Sequence, residues 1–159
     1  MKLFFQMIDE TDQSILALLL DNAATSKAEI ARQVGLAPSV VSERVRRLEA
    51  QGVIRGYEVR LDAKQLGKPL LAFVFVTDVK PSRGFDTAAA LTRVRGLEEL
   101  HKIAGDDCYL LKIRAADTDE LNAIIEADIN TVESVVRVRT TIVLNAVTER
   151  PPLAGTQHQ

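Results

Sequence analysis

The sequence is poor in the side chains that build disulfides, metal sites and catalytic centres. Cys108 is the only cysteine among 159 residues, and His101 and His158 are the only histidines. One thiol excludes an internal disulfide and a cysteine-based zinc cluster, and two imidazoles alone do not favour a metal site. The sequence also has no phosphate-binding glycine loop and no nucleophile at a recognisable spacing from a general base. We therefore expect no metal, no cofactor and no enzymatic activity.

Long apolar runs are missing as well, and a leader peptide is not expected. No stretch approaches the roughly 18 apolar residues that a membrane span requires. The short apolar start is followed at once by Asp9, Glu10 and Asp12, without the small-residue cleavage site of a secretory signal. With 47% hydrophobic and 26% charged residues, the composition is that of a soluble globular protein with one ordinary domain or two small ones. We expect a cytoplasmic protein with no membrane partner.

The chain is slightly acidic overall, but one segment is basic. The formal net charge is −2, whereas residues 26–60 contain seven basic and four acidic side chains, a local charge of +3. At physiological salt, screening limits the reach of distant charges to about 8 Å. A polyanion such as DNA would therefore respond to this segment rather than to the net charge.

Two short helices joined by a tight turn are predicted between Ser26 and Gln51. Ser26 and Glu29 have the spacing of a capping box, which predicts where the first helix begins. Gly35 can adopt the positive φ of a helix end, and Pro38 suits the first turn of the next helix.

The second helix of this pair has an apolar side and a polar side. At about 100° per residue, Val41, Val45 and Leu48 share one side. The rest of its surface carries groups that can contact DNA: Ser39, Ser42, Glu43, Arg44, Arg46 and Arg47. This arrangement predicts a helix-turn-helix; the alternative is an ordinary helical hairpin with a solvated, ion-paired face.

The candidate DNA contacts have different expected roles. Arg46 lies most nearly opposite the apolar side, so it is the candidate for a bidentate bond to guanine in the major groove, while the neighbouring arginines can donate to phosphates. The two serines suit contacts near the helix N-terminus, where a phosphate is also favoured. Glu43 would repel phosphate unless it accepts from cytosine or holds an arginine in place, and we favour the second role.

Periodicity and β-branched content predict the remaining elements. Before the helix pair, a first helix is expected over Ile8–Asn22. After the pair, one or two short strands are expected between Val53 and Asp62, then a linker over residues 62–69 that starts with a helical turn. The rest predicts, in order, a strand Leu70–Val79, a helix Phe85–Val94, a strand Leu100–Ala104, a turn Gly105–Asp107, a strand Cys108–Ala115, a helix from Asp117 or Thr118 to Ile129, and a strand Val135–Val147.

The order β-α-β-β-α-β predicts a ferredoxin-like domain within an α+β protein, with two helices on one face of a four-stranded antiparallel sheet. The apolar content of Leu70–Val76 and Ile142–Leu144 indicates that the other face is buried too, which favours a dimer of two such sheets. The polar, proline-containing end at 150–159 indicates a disordered tail.

Two groups of motifs resemble the Lrp/AsnC, or feast/famine, family of transcription regulators. The first is I-D-E-T-D-Q-S-I-L-A-L-L with A-E-I-A-R-Q-V-G-L-A-P-S-V-V-S-E-R-V-R-R-L-E-A-Q-G-V-I-R-G-Y, and the second is G-D-D-C-Y-L-L-K-I-R. The resemblance runs from Ile8 to Glu149. It implies a winged helix-turn-helix (1–61), a linker (62–69), a ferredoxin-like oligomerisation and effector-binding (RAM) domain (70–149) and a tail (150–159). It also implies binding to double-stranded DNA in the nucleoid, and dimers that assemble into tetramers, octamers or larger discs.

The resemblance further implies an effector, usually an amino acid, bound at the contact between dimers beside the turn after residue 104. Taken alone, this turn is typical of a plain hairpin, whose backbone N–H groups could hold a carboxylate and whose side chains could accept from an ammonium group. Cys108 stands where the leucine-responsive branch has a second acid, so a salt bridge from that position is lost. The expected effector-site residues are Gly105, Asp106, Asp107, Cys108, Thr140 and Thr141.

Taken together, these features predict a sequence-specific DNA-binding regulator whose assembly and DNA binding respond to a small molecule. Two recognition helices of a dimer should enter successive major grooves, with half-sites about 10 to 10.5 bp apart or a multiple of that. The alternative is an architectural DNA-coating protein or a metabolite-binding protein without a ligand response. An enzyme on the same fold is supported by analogy alone.

Overall fold

A computed structural model describes residues 8–79 and 86–147. These residues divide into two compact units, one ending at Arg60 and one covering Leu61–Val147. No helix in the described part is long and apolar enough to cross a membrane. The expected helix start at Phe85 and the expected tail lie outside the described residues.

Three helices form the first unit, as predicted. They are α1 (Glu10–Asp21), α2 (Lys27–Val34) and α3 (Pro38–Ala50). Ile15, Ile30, Val41 and Val45 are buried between them, and the small Ala31 lets α2 approach its neighbours closely. The apolar side of α3 therefore faces the core, and its polar side faces outward.

Local signals end α2 and begin α3 at the predicted positions. Gly35 has a φ of 70°, in the left-handed region that favours glycine, and Pro38 is the first residue of α3. Only half of the expected capping box forms: Ser26 Oγ accepts from the Glu29 N–H at 3.1 Å, but the Glu29 carboxylate pairs with Arg32 instead of reaching back. A charge-assisted bond to a guanidinium one turn away is stronger than a bond to a neutral N–H.

The strands expected between Val53 and Asp62 do not form in the single chain, so that prediction is wrong. Val53 and Ile54 donate their N–H groups to the Leu48 carbonyl at 2.9 and 3.2 Å and close the end of α3. From residue 55 to residue 62 the chain forms neither helix nor strand, and Val59 is 81% exposed. A strand needs a neighbouring strand for its hydrogen bonds, and no described residue of this unit supplies one.

Four strands and two helices form the second unit in the predicted β-α-β-β-α-β order. They are β1 (Leu70–Asp78), α4 (Thr87–Leu91), β2 (Leu97–Lys102), β3 (Tyr109–Ala115), α5 (Thr118–Ile124), which continues as a π-helical turn (Ile125–Ile129), and β4 (Val135–Ile142). Neighbouring strands are antiparallel, in the order β2-β3-β1-β4. This is the ferredoxin-like arrangement, and the expected α+β fold is confirmed.

Two boundaries near Gly96 differ from expectation. Strand β2 begins at Leu97 rather than Leu100, because the Arg114 N–H already donates to the Gly96 carbonyl at 2.8 Å and aligns the chain with β3. Helix α4 ends at Leu91, because the following residues form backbone hydrogen bonds to the residue three positions earlier instead of four.

The last strand is shorter than predicted. It ends at Ile142 rather than Val147 because its neighbour β1 begins at Leu70. The Val143 N–H still donates to the Leu71 carbonyl at 2.9 Å, but past this point β1 offers no further partner. Leu144, which lies beyond that bond, is 98% exposed.

The two helices cover one face of the sheet. Leu91, Leu121 and Ile124 from the helices pack on alternate residues of the central strands. The buried strand residues of this core are Ala72, Val74, Val76, Tyr109, Leu111, Ile113 and Ala115. Phe73 and Phe75, which have the other parity, lie on the opposite face and are only half-buried.

Candidate nucleic-acid interface and ligand site

The polar side of α3 carries an exposed ion pair. Arg46 Nη2 donates to Glu43 Oε2 one turn away, and the two side chains are 74% and 66% exposed. Ser39 is exposed on the same side, and Ser42 is half-buried at its edge. This side of α3 therefore presents the Arg46 guanidinium to solvent. The Glu43 carboxylate orients that guanidinium, which is the second of the two roles considered for Glu43.

Arg44 and Arg47 lie on another flank of α3 and contact α1. Arg44 Nη1 donates to Asp9 Oδ2 at 2.7 Å and to Asp12 Oδ1 at 2.9 Å, and Arg47 Nη2 donates to Asp12 Oδ2 at 2.7 Å. The Asp12 side chain is 1% exposed, so two guanidinium groups hold a buried carboxylate. The bond from Arg44 lowers the pKa of the Asp9 carboxyl below its usual value. The three arginines of α3 thus fall into two groups, one exposed and one tied to α1.

Asp12 is a residue that sequence reasoning missed. It also completes a capping box with Asp9, whose Oδ1 accepts from the Asp12 N–H at 2.7 Å. A signal was present, because Asp12 occupies the same helical stripe as Ile15 and Leu19. A carboxylate in an apolar stripe is seldom buried without an opposite charge, so it indicates a cationic partner elsewhere in the fold.

In the second unit, the predicted effector turn is fastened to the sheet by Asp107. This side chain is buried, and it accepts from Arg139 Nη2 at 2.8 Å, from Arg137 Nη2 at 3.2 Å and from Thr77 Oγ1 at 3.2 Å. The bond from Arg139 lowers the pKa of the Asp107 carboxyl. Arg139 also stacks on the Phe75 ring, 3.9 Å from its centroid. Two guanidinium groups therefore surround one carboxylate, and the cluster has an excess of positive charge.

The other residues of the turn are less constrained. Gly105 has a φ of 133°, and Asp106 is exposed. Of the turn's backbone N–H groups, that of Cys108 donates to the Val76 carbonyl at 2.9 Å, while those of residues 105–107 make no hydrogen bond with any described residue. The turn thus offers open N–H donors and one exposed carboxylate.

Thr140 and Thr141 lie farther along β4. Thr140 pairs with Val74 and Thr141 pairs with Phe73, so the two side chains are on opposite faces of the sheet. The turn sits beside Val76, two positions along the strand from the partner of Thr140 and three from the partner of Thr141, which correspond to about 7 and 10 Å. The structure therefore brings Gly105 to Cys108 together but does not bring the two threonines to Asp107.

The side chains of β4 that do reach the turn are Arg137 and Arg139, which sequence reasoning missed. Their alternation in R-V-R puts both on one face of a strand, and this signal is visible in the sequence. The strand order that sets β4 beside β1, opposite β3, is what brings them to Asp107. Within residues 8–79 and 86–147, no group of three or more His, Cys, Asp or Glu side chains could hold a metal ion.

Comparison with known proteins matches both units. Residues 8–55 fit the family model described as winged helix-turn-helix DNA-binding, and residues 71–153 fit the model described as Lrp/AsnC ligand binding domain. The transcriptional regulator LrpA of Mycobacterium tuberculosis is 34% identical over 140 residues, which cover 88% of this chain and 92% of LrpA. The leucine-responsive regulatory protein of Haemophilus influenzae is 37% identical over 142 residues, covering 88% and 86% of the two chains. The solved structure of the feast or famine regulatory protein of M. tuberculosis, complexed with L-methionine, has a TM-score of 0.83 at 33% identity and covers 96% of this chain and 99% of that one.

Proposed function

We propose, since this chain belongs to the Lrp/AsnC family of transcription regulators, that it binds specific DNA sequences through α3 and that an amino acid modulates this binding. The observation that carries the proposal is the exposed Arg46–Glu43 pair on a helix whose opposite side is packed in the core. An arginine held in one orientation suits bidentate recognition of guanine, because less side-chain freedom is lost on binding.

The DNA contacts that we propose are Ser39, Ser42, Glu43, Arg44, Arg46 and Arg47. Arg46 reads a base, and Glu43 keeps its guanidinium in place. The serines and the other two arginines contact the sugar-phosphate backbone, which fixes the position of α3 on the duplex. Residues 62–69 act as the linker to the second domain. The protein works in the cytoplasm, on the nucleoid, and catalyses no reaction.

The experiment is a selection of bound sequences from a random duplex pool, followed by competition at fixed salt. A sequence-specific regulator enriches one motif and keeps binding it in excess random DNA, because specific sites bind about 10³-fold or more tighter than non-specific ones. A pool that yields no motif would favour the alternative, an architectural protein that coats DNA.

We further propose that two chains dimerise through the sheet face opposite the helices. Phe73 and Phe75 are half-buried there, although no described helix covers them, and burial of aromatic side chains is a main driving force for association. Dimers would place two α3 helices about one DNA turn apart and would assemble further into tetramers, octamers or discs. Phe73→Glu should shift the sedimentation profile to smaller species, whereas Asn122→Glu, which adds the same charge on exposed α5 surface, should not.

The effector site that we propose is the turn Gly105–Cys108 together with Arg137 and Arg139. The open N–H groups and the two guanidinium groups suit an α-carboxylate. Asp107 is already engaged by both arginines, so the exposed Asp106 is the acceptor for an α-ammonium group. A relative that binds L-methionine supports an amino acid as the ligand class. Thr140 and Thr141 remain candidates only if a second chain brings a ligand across β4.

A thermal-shift screen of the twenty amino acids tests this site. A true effector raises the melting temperature with concentration, because it binds the folded protein better than the unfolded one. Arg139→Gln should weaken that shift. Arg114 would not serve as a control position, because it forms its own ion pair with Glu98 on the same sheet. Arg93→Gln, at an exposed position in the turn after α4, is the matched control. If no amino acid stabilises the protein, or if the effector changes neither sizing nor DNA footprint, ligand control is wrong.

A further inference from the structure

We propose that Asp12 is a positioning residue for DNA binding: from inside the core it holds the guanidinium groups of Arg44 and Arg47 so that their remaining N–H groups meet DNA phosphates beside α3. The inference rests on the proposed DNA binding through α3. It assigns a role in that binding to a residue of α1 that cannot touch DNA itself, since its side chain is 1% exposed.

Both arginines have N–H groups that donate to no described residue. A guanidinium has five N–H groups, and Arg44 uses only Nη1 while Arg47 uses only Nη2. Among the described residues, no buried side-chain nitrogen or oxygen lacks a hydrogen-bond partner. The unused nitrogens of the two arginines are therefore open to solvent, and the side chains are 24% and 32% exposed.

The carboxylate of Asp12 is fixed more firmly than a surface acid would be. It lies in the stripe of α1 that packs on α2 and α3, and its Oδ2 also accepts weakly from the Asp9 N–H at 3.4 Å. Each carboxylate oxygen holds one arginine of α3, and these arginines are separated by three residues on one flank of the helix. Two cationic side chains are thereby aligned along α3 before any DNA arrives.

This alignment distinguishes Arg44 and Arg47 from an ordinary basic surface. A free arginine loses rotamer freedom when it grips a phosphate, whereas here folding has already restricted the side chain. Arg46, in contrast, is oriented by an exposed glutamate on the outer side of α3. One helix can then separate phosphate contacts on one flank from base reading on the outer side.

The direction in which one substitution changes DNA affinity separates positioning from simple electrostatics. Asp12→Asn removes a negative charge close to DNA, so electrostatics alone predicts tighter binding. Positioning predicts weaker binding, because the neutral amide no longer holds two guanidinium groups. Glu10→Gln makes the same change of charge two residues away, at an exposed position outside the proposed DNA contacts, and is the matched control.

Affinity for a mixed-sequence duplex should be measured with the full chain over a series of salt concentrations, at a temperature where thermal melts show each variant folded. Asp12→Asn should bind about tenfold more weakly than Glu10→Gln, the scale expected when charge-assisted phosphate bonds lose their geometry. If Asp12→Asn binds the duplex as tightly as Glu10→Gln or more tightly, the inference is wrong and the proposed function still stands. A wild-type chain without affinity for any duplex overturns both.

A second pair of variants covers the case in which Asp12→Asn does not fold. Arg47→Lys keeps the charge but replaces the flat fork, which can bind Asp12 and a phosphate at once, with a single ammonium group. Its control is Arg32→Lys, on an exposed arginine of α2. Arg47→Lys should bind the duplex several-fold more weakly than Arg32→Lys, and equal binding by the two would show that Arg47 contributes charge alone.

Discussion

Gly96 is a position at which a single methyl group should damage the ferredoxin-like domain. A Cβ built there would lie 2.1 Å from the Arg114 carbonyl oxygen, where ordinary contact begins at 3.4 Å, so β3 would have to retreat by about 1.3 Å. That retreat would strain the 2.8 Å bond between the Arg114 N–H and the Gly96 carbonyl. The φ of 69° adds the cost of left-handed backbone for a side-chain-bearing residue, about 1 to 2 kcal/mol. With overpacking of about 1 to 3 kcal/mol, Gly96→Ala should lower the free energy of unfolding by about 2 to 5 kcal/mol.

Gly67 supplies the control within the same unit. Its φ is 71°, but a Cβ there would have no neighbour within 4 Å, so Gly67→Ala carries only the backbone cost of about 1 to 2 kcal/mol. Urea unfolding, read by hydrogen exchange of amides in β3, compares the two variants. Equal losses of stability at Gly96 and Gly67 would refute the account of how β2 is held against β3.

Three further predictions concern stability. Ile30→Ala, at a residue with 0% exposure, should lower the free energy of unfolding of the helical unit by about 2 to 5 kcal/mol in urea titrations, as a buried cavity does. Ser26→Ala should cost about 1 kcal/mol in the same titration, because the Glu29 N–H loses its cap. Arg139 lowers the pKa of Asp107, so the stability contributed by this carboxylate is complete above the usual carboxyl pKa of about 3.9 and is lost as pH falls through the lowered folded value. Thermal melts of Asp107→Asn should accordingly depend less on pH in that acidic window than those of the wild type.

The elements that could be predicted from the sequence are those set by local chemistry. Ser26, Gly35 and Pro38 each fix a helix end through their own backbone preferences, so the bounds of α2 and the start of α3 could be predicted from neighbouring residues. The β-α-β-β-α-β order followed from periodicity in the same way. Strand ends could not be predicted, since a strand stops where its neighbour stops: β4 ends early because β1 begins at Leu70.

The candidate sites were only partly predictable, because their closest contacts join residues far apart in sequence. Asp12 meets Arg44 and Arg47 across more than thirty residues, and Asp107 meets Arg139 across 32 residues. Each group could be recognised as polar from its neighbours, but its partner depended on how α1 crosses α3 or on which strand lies beside β1. Arg46 and Glu43 are one helical turn apart, and their pairing could be predicted for that reason.

The most direct test of the central claim compares Arg46→Ala with Arg32→Ala on a selected binding sequence and on random duplex, at one salt concentration. Both arginines are about three-quarters exposed and paired with a glutamate three residues earlier, so the two variants lose the same charge from similar surroundings. Arg46→Ala should weaken binding to the selected sequence by about 1 to 3 kcal/mol while changing random binding little, which lowers the specificity ratio. Arg32→Ala should leave that ratio unchanged. An unchanged ratio for Arg46→Ala would contradict the claim that this face of α3 reads DNA sequence.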